Sequence, residues 1–316
     1  MPEIRVLSSA GRAILRVGMP ILADPDRKLW AQAAEAAAFF PLQQDWEYGV
    51  AARWQGRDVR RFVALRDDKP IACLQAVGRR WLGFFDVWAG LRGPVGDASA
   101  WPELLARLPG WPFAASLVSP EMAAGDATRA RFLGRGRVHT GPTLALWRLD
   151  TKREAGLRAS LHQKWRNRLR VAERSGLRIE LAPRGKWVEW VIALGEATRK
   201  AKGFEAAPPH FVARLAELKG ARDCLVAVAL DKRAPVAGAL FLRHGRDATY
   251  CVASSTPEGR KANAANVVLW RAALALKEAG VRTLDLGTIE TARSAGLARF
   301  KLGTGAEPFE LAGTYL

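Results

Sequence analysis

The chain is poor in the residues from which most recognisable catalytic centres are built. Its three cysteines, Cys73, Cys224 and Cys251, stand alone, with neither redox-pair nor zinc spacing. Its four histidines, His139, His162, His210 and His244, are equally scattered and offer no ligand pair. No metal site is therefore expected, and no Ser–His–Asp or Cys–His nucleophile can be assembled. Isolated cysteines suit a reducing compartment, so a cytoplasmic location is expected. No run approaches the ~18 apolar residues of a membrane span. The arginines Arg5, Arg12 and Arg16 are not followed by an apolar block with a cleavage site, so a secretory signal is not expected either. Acid is also in deficit, with 49 Lys and Arg against 31 Asp and Glu, a formal charge of +18. Such a surplus predicts affinity for a polyanion, either a nucleic acid or an anionic membrane face.

What is present suffices for two ordinary cores, because 49% of the 316 residues are hydrophobic and 25% charged. Helical spacing covers "RKLWAQAAEAAAFF" up to Pro41. "RRFVALR", the turn "DDKP" and "IACLQAV" predict a β-hairpin. Strands at "LGFFDVW", "FAASLV" and "PTLALWRL" alternate with helices at "WPELLARL" and "EMAAGDATRARFL". After a polar stretch from Asp150 to Gly156, a long helix around 157–172 precedes a strand at "LRIELA" and helices at "KWVEWVIALGEATRKA" and "PHFVARLAELK". Three strands ("CLVAVAL", "PVAGALFLRH", "DATYCVASS") lead to an apolar helix closed by Gly280. The strand "VRTLDLG", a short helix and a closing strand "PFELAGTY" end the chain. This order predicts an α/β fold in which a mixed sheet covered by helices occurs twice.

Three places can carry chemistry. The long helix sets Leu157, Leu161, Trp165 and Leu169 on one face and Lys164, Arg166, Arg168, Arg170 and Arg174 on the rest, with Glu173 as the only acid among them. Charge-rich faces are often merely solvated, but cations this crowded repel one another unless phosphates sit there. "EGRKANAANVVLW" opens a helix after a strand, the position of a pyrophosphate loop. Arg260 is present, while Asn263 and Ala265 stand where glycines would be. Asp285 and Glu290 flank Gly287 at a strand end, where open α/β sheets bind ligands. Lys301 follows Phe300 at the mouth of a Gly303/Gly305 stretch. It either caps a short helix and points into water or supplies a positive charge to a reaction. Transfer of an activated acyl group to an amine fits this inventory, since it needs little beyond a cation for the oxyanion.

"WRNRLRVAERSGL", "FLRHGRDATYCVASS", "DLGTIE" and "GLARFKLGTGAEPFELAGTY" resemble the second half of the Fem-type transferases, and "QQDWEYG" and "RGPVGD" resemble landmarks of their first half. The resemblance implies two tandem GNAT-like domains, residues 1–149 and 150–316, the second carrying the transfer site. It implies movement of an aminoacyl group from aminoacyl-tRNA, as co-substrate rather than cofactor, onto an amine. Lys301, with Phe300 beside it, would then lie where the tRNA 3′ end meets the acceptor and would steady the charge on the ester carbonyl. The family's Arg-Pro followed by Tyr is Ala207, Pro208 and Phe211 here, and its Tyr-x-Tyr is Tyr250-Cys251-Val252. Its Asp before Pro-Glu is Ser119 before Pro120 and Glu121. The usual peptidoglycan precursor is thus expected to bind poorly, with Tyr250, Asp285, Glu290 and Phe211 as the substrate-binding candidates. An N-acyltransferase using acyl-CoA on the same fold is the alternative, and an inactive RNA- or membrane-binding module is the third reading.

Overall fold

The computed structural model describes residues 6–7, 13–14, 19–81, 83–126, 135–204 and 206–316. Two mixed sheets organise it. The first runs in the order Ile21–Ala23, Asp58–Arg66, Lys69–Trp81, Phe85–Gly90, Ala114–Val118, Thr314–Tyr315, Arg137–His139, with Val95–Gly96 added beside Lys69–Trp81. The second runs Arg178–Ala182, Cys224–Asp231, Ala234–His244, Asp247–Ser255, Thr283–Ile289, Thr143–Arg148, Glu307–Glu310.

Local chemistry accounts for most of these elements. Asp67 and Asp68 both take positive φ, 50° and 58°, as a two-residue hairpin turn requires. The helix Arg27–Ala36 starts where the Asp26 carboxylate accepts the Leu29 N–H. It stops short of Pro41 because Phe40 is claimed by the second domain: its N–H donates to Asp247 and its carbonyl contacts His244.

Three expectations change. The long helix is two, Glu154–Ser160 and Gln163–Arg174, broken at an extended Leu161. Arg166 donates to the carbonyls of Ala159 and Leu161 across the break, satisfying groups that the first helix leaves open. The segment around "PTLALWRL" does not lead out of the first domain. Thr143–Arg148 pairs inside the second sheet, between Thr283–Ile289 and Glu307–Glu310, because Trp147 is buried there against Trp270. The closing strand is also two pieces, and Thr314–Tyr315 returns to the first sheet beside Val118 and Arg137. The sheets therefore divide ahead of Thr143, not after Leu149, and the chain crosses between them twice. Most of the helix expected at "EMAAGDATRARFL" lies outside the described residues.

A buried ion pair helps hold the domains together. Lys219, on the helix Pro209–Asp223, reaches across to Asp45 at 2.9 Å, with both side chains almost wholly buried. Asp45 also caps the helix Trp46–Trp54. Removing one member of such a pair leaves an uncompensated buried charge. Lys219→Met should lower the unfolding free energy by about 3–5 kcal/mol in a urea titration, and Asp45→Leu/Lys219→Met should regain part of that loss.

Candidate active site

Asp247–Ser255 and Thr283–Ile289 run parallel through three pairs, Asp247↔Thr283, Ala248↔Leu284 and Thr249↔Asp285, and then part. The equivalent parallel pair in the first sheet stays joined over five positions, from Asp86↔Ala114 to Gly90↔Val118. Among the described residues, only the second sheet opens in this way. Backbone groups in such a gap must find other partners. On the other edge of Thr283–Ile289 the register slips between Leu144↔Thr288 and Leu146↔Asp285. Gly287 sits in that bulge with φ 78°, a conformation that glycine adopts without strain. Its N–H donates to the Asp285 carboxylate at 2.7 Å, and the Thr288 carbonyl accepts from the Lys301 ammonium at 2.7 Å.

Lys301 does not point into water. It lies in the last turn of the helix Thr291–Leu302 and is 7% exposed. Burial pushes its pKa down to about 8, while the Asp285 carboxylate works in the opposite direction. The helix end is fixed from below. A Cβ on Gly303 would come within 2.7 Å of the Trp165 ring, and Thr304 donates its hydroxyl to the Lys301 carbonyl at 2.7 Å. Phe300 packs on Trp165, ring centres 6.0 Å apart. It therefore anchors the helix to the core.

Asp285 is held by a residue that sequence reasoning missed. Arg92, from the "RGPVGD" turn of the first domain, pairs with Asp285 and grips Glu121 through two bonds of 2.7 Å. All three side chains are largely buried. Burial opposes the charge on Arg92, but Glu121 and Asp285 outweigh it and hold its pKa above the ordinary value. Its backbone is left-handed, with φ 50°, an uncommon state for arginine. Its partners lie 29 and 193 residues away, so no local spacing marks it.

The remaining candidates spread over three places. Tyr250, on the other parted strand, packs on Phe241 with ring centres 5.3 Å apart, and burial raises the pKa of its phenol. Glu290 is exposed and immediately precedes the helix of Lys301. Phe211 packs edge-on against Tyr48 and lines an interdomain cleft of about 480 Å³ with Ala207, Pro208, Arg79 and Trp81. Lys164, Arg168, Arg170 and Arg174 are exposed on the cationic helix, whereas Arg166 is occupied with backbone carbonyls. Glu173 is paired with Arg158 of the preceding helix, so it does not offset those four. Arg260 donates to the carbonyl of Ser255 at 2.6 Å, at the end of a parted strand. His244 is buried between Phe40 and Thr249. Burial, with Lys219 adding to it, drives its pKa down to about 3, so it is neutral and structural.

Residues 159–311 match the acetyltransferase (GNAT) domain family. The structure of FemX superposes with a TM-score of 0.79 at 15% identity, over 94% of this chain and 96% of that one. The chain has the Fem-type tandem GNAT fold. The C-terminal domain of a putative lysylphosphatidylglycerol synthetase from Agrobacterium fabrum is similar over 89% of this chain and 91% of that one, at 16% identity and a TM-score of 0.54. L-PGS from Bacillus licheniformis gives 0.53 at 16% identity, over 95% and 92% of the two chains. No curated protein matches this chain by sequence. The chain thus has a fold of two GNAT-like domains, and residues 159–311 of the second match the acetyltransferase family. In GNAT-like terms, the parted strands and Lys301 belong to the second domain, and Arg92 is the contribution of the first.

The charge on Lys301 can be tested through its neighbour. Asp285→Asn removes the carboxylate that supports the ammonium, so the Lys301 pKa should fall further below about 8. Titration of side-chain-labelled lysine by NMR reads this directly. An unchanged or higher value would separate the two groups.

Proposed function

We propose that this protein forms an amide by moving an aminoacyl group from aminoacyl-tRNA to an amine on an acceptor other than the usual peptidoglycan-bridge precursor. The observation that carries the reading is the buried Lys301 ammonium, fixed on Thr288 at the gap between the parted strands. In the reaction the amine nitrogen attacks the ester carbonyl and the C–N bond forms. The carbonyl oxygen becomes an oxyanion beside Lys301. The C–O bond to the tRNA ribose then breaks, and the proton released by the amine balances the leaving hydroxyl. A fixed cation in a dry site stabilises the oxyanion more than the neutral ester. Asp285 keeps the lysine protonated, and Arg92 keeps Asp285 in place.

Charge supports a tRNA donor. Lys164, Arg168, Arg170 and Arg174 form an exposed cationic face suited to phosphates. FemX and the lysylphosphatidylglycerol synthetases, the structural relatives, support an aminoacyl donor by analogy. An acceptor other than the usual precursor is supported by Ala207 and Phe211, which bring no charge or hydroxyl to the cleft. Val252 faces helix residue Gly195 instead of supplying a phenol.

One observation favours acyl-CoA as donor. Asn263, at φ 53°, supplies the left-handed turn before the helix Ala264–Glu278, and that helix N-terminus carries no side-chain cap, which leaves its N–H groups open to a phosphate. Incubation with charged tRNA and with acetyl-CoA, in the presence of amines, separates the two. Acceptor-dependent loss of charged tRNA alone supports the proposal. Loss of acetyl-CoA alone favours the second reading, and consumption of neither favours an inactive binding module.

The cationic face makes a separate prediction. Arg168→Glu/Arg170→Glu should weaken tRNA binding and flatten its log–log salt dependence by about 0.7–0.9 per lost phosphate contact, with thermal unfolding unchanged. Unaltered affinity would make this helix a solvated surface.

A further inference from the structure

Large aromatic side chains are mostly well buried in this protein, with Trp30, Trp88, Trp101, Trp147, Trp165 and Trp270 all in its cores. Among the described residues six aromatics are exposed, and four of those stand at one corner of the first domain. Trp81 and Phe84 are 57% and 73% exposed at the tip of the hairpin joining Lys69–Trp81 to Phe85–Gly90. Trp111 and Phe113 are 86% and 77% exposed in the turn before Ala114–Val118. The two tips form one surface. The rings of Phe85 and Trp111 meet edge-on at 6.5 Å, and the Asp86 N–H donates to the Phe113 carbonyl at 3.0 Å. Leaving four large rings in water forgoes burial that would stabilise the fold, and clustered patches of this kind mark binding surfaces.

The rim is cationic. Arg79, Arg80 and Arg107 are exposed within four residues in sequence of Trp81 or Trp111, and Asp86 is paired with Arg80 at 3.2 Å. Rings on protruding tips with arginines behind them have the chemistry of an interfacial membrane anchor. Tryptophan favours the head-group region, while the cations meet anionic lipid. No helix among the described residues is long and apolar enough to cross a bilayer, so any such contact would be peripheral.

We propose that this corner docks the protein onto an anionic bilayer, with Trp81, Phe84, Trp111 and Phe113 entering the interface and Arg79 and Arg107 meeting lipid phosphates. Highly exposed rings on two turn tips suit a soft surface better than a second copy of the chain, which would need a broad complementary face. Single-stranded RNA would want a groove that tracks phosphates past stacked rings, and the exposed cationic helix Gln163–Arg174 lies in the other domain. Arg79 and Trp81 also line the interdomain cleft, so a docked bilayer would lie at its mouth.

The test is co-sedimentation of the full chain with vesicles of phosphatidylcholine, with and without phosphatidylglycerol. Binding should need the anionic lipid and weaken with salt. Trp111→Ser/Phe113→Ser should reduce it about tenfold or more, the loss of roughly 1.4 kcal/mol, with unchanged circular dichroism and melting. Arg79→Glu/Arg107→Glu should reduce binding to anionic vesicles as well. The proposal is overturned if the wild type ignores anionic vesicles or if the aromatic variant binds them equally well. It is also overturned if the aromatic substitutions instead dissolve a dimer in sedimentation velocity, or abolish RNA binding, while vesicle binding is unaffected.

Discussion

The parting of two parallel strands after Thr249 and Asp285 is the constraint on which the rest of the site depends. A sheet that opens in its interior strips backbone groups of their ladder partners, and burial makes each orphan costly. Here charged side chains take backbone groups beside the gap and the neighbouring bulge. Asp285 accepts the Gly287 N–H, and Lys301 donates to the Thr288 carbonyl. A fold-level problem thereby places an ammonium and a carboxylate at the open end of the sheet, with their positions set by the backbone.

Charges so placed need support of their own. Asp285 is nearly buried, and the guanidinium that balances it comes from the other domain. The site is therefore complete only when the two domains are docked. Several features resist separation: the Lys219–Asp45 pair, the capture of Phe40 by Asp247 and His244, and the two chain crossings at Thr143–Arg148 and Thr314–Tyr315. A tandem arrangement with a single open sheet then has a physical division of labour. The second domain supplies the gap and the lysine, and the first supplies the arginine that fixes the lysine's counter-charge. Preorganisation of this kind costs no rearrangement when negative charge develops on a substrate.

Much of this was legible in the sequence where the cause is local. Asp67–Asp68 marks its hairpin, Gly280 ends its helix, and Phe300–Lys301 before Gly303 marks the end of the helix Thr291–Leu302. The cationic helix was also legible, apart from Arg166. What escaped depends on distant partners. Leu161 has helical periodicity with both neighbouring helices, so nothing local reveals the break that Arg166 bridges. "PTLALWRL" reads as a strand in either domain, and only the seat of Trp147 against Trp270 assigns it. Arg92 looks like a turn residue, because Glu121 and Asp285 become its neighbours only after folding.

The central claim is that the charge on Lys301, and not its bulk, carries acyl transfer. Single-turnover transfer from whichever donor the wild type consumes tests it most directly in Lys301→Met, which keeps the apolar stem and removes the ammonium. Expected are unchanged donor affinity, a modestly lower melting temperature from the Thr288 carbonyl left without its donor, a loss of about 100-fold or more in the transfer rate of the folded variant, and only partial rescue by Lys301→Arg, whose planar fork replaces a point charge. Transfer by Lys301→Met at the wild-type rate would contradict it.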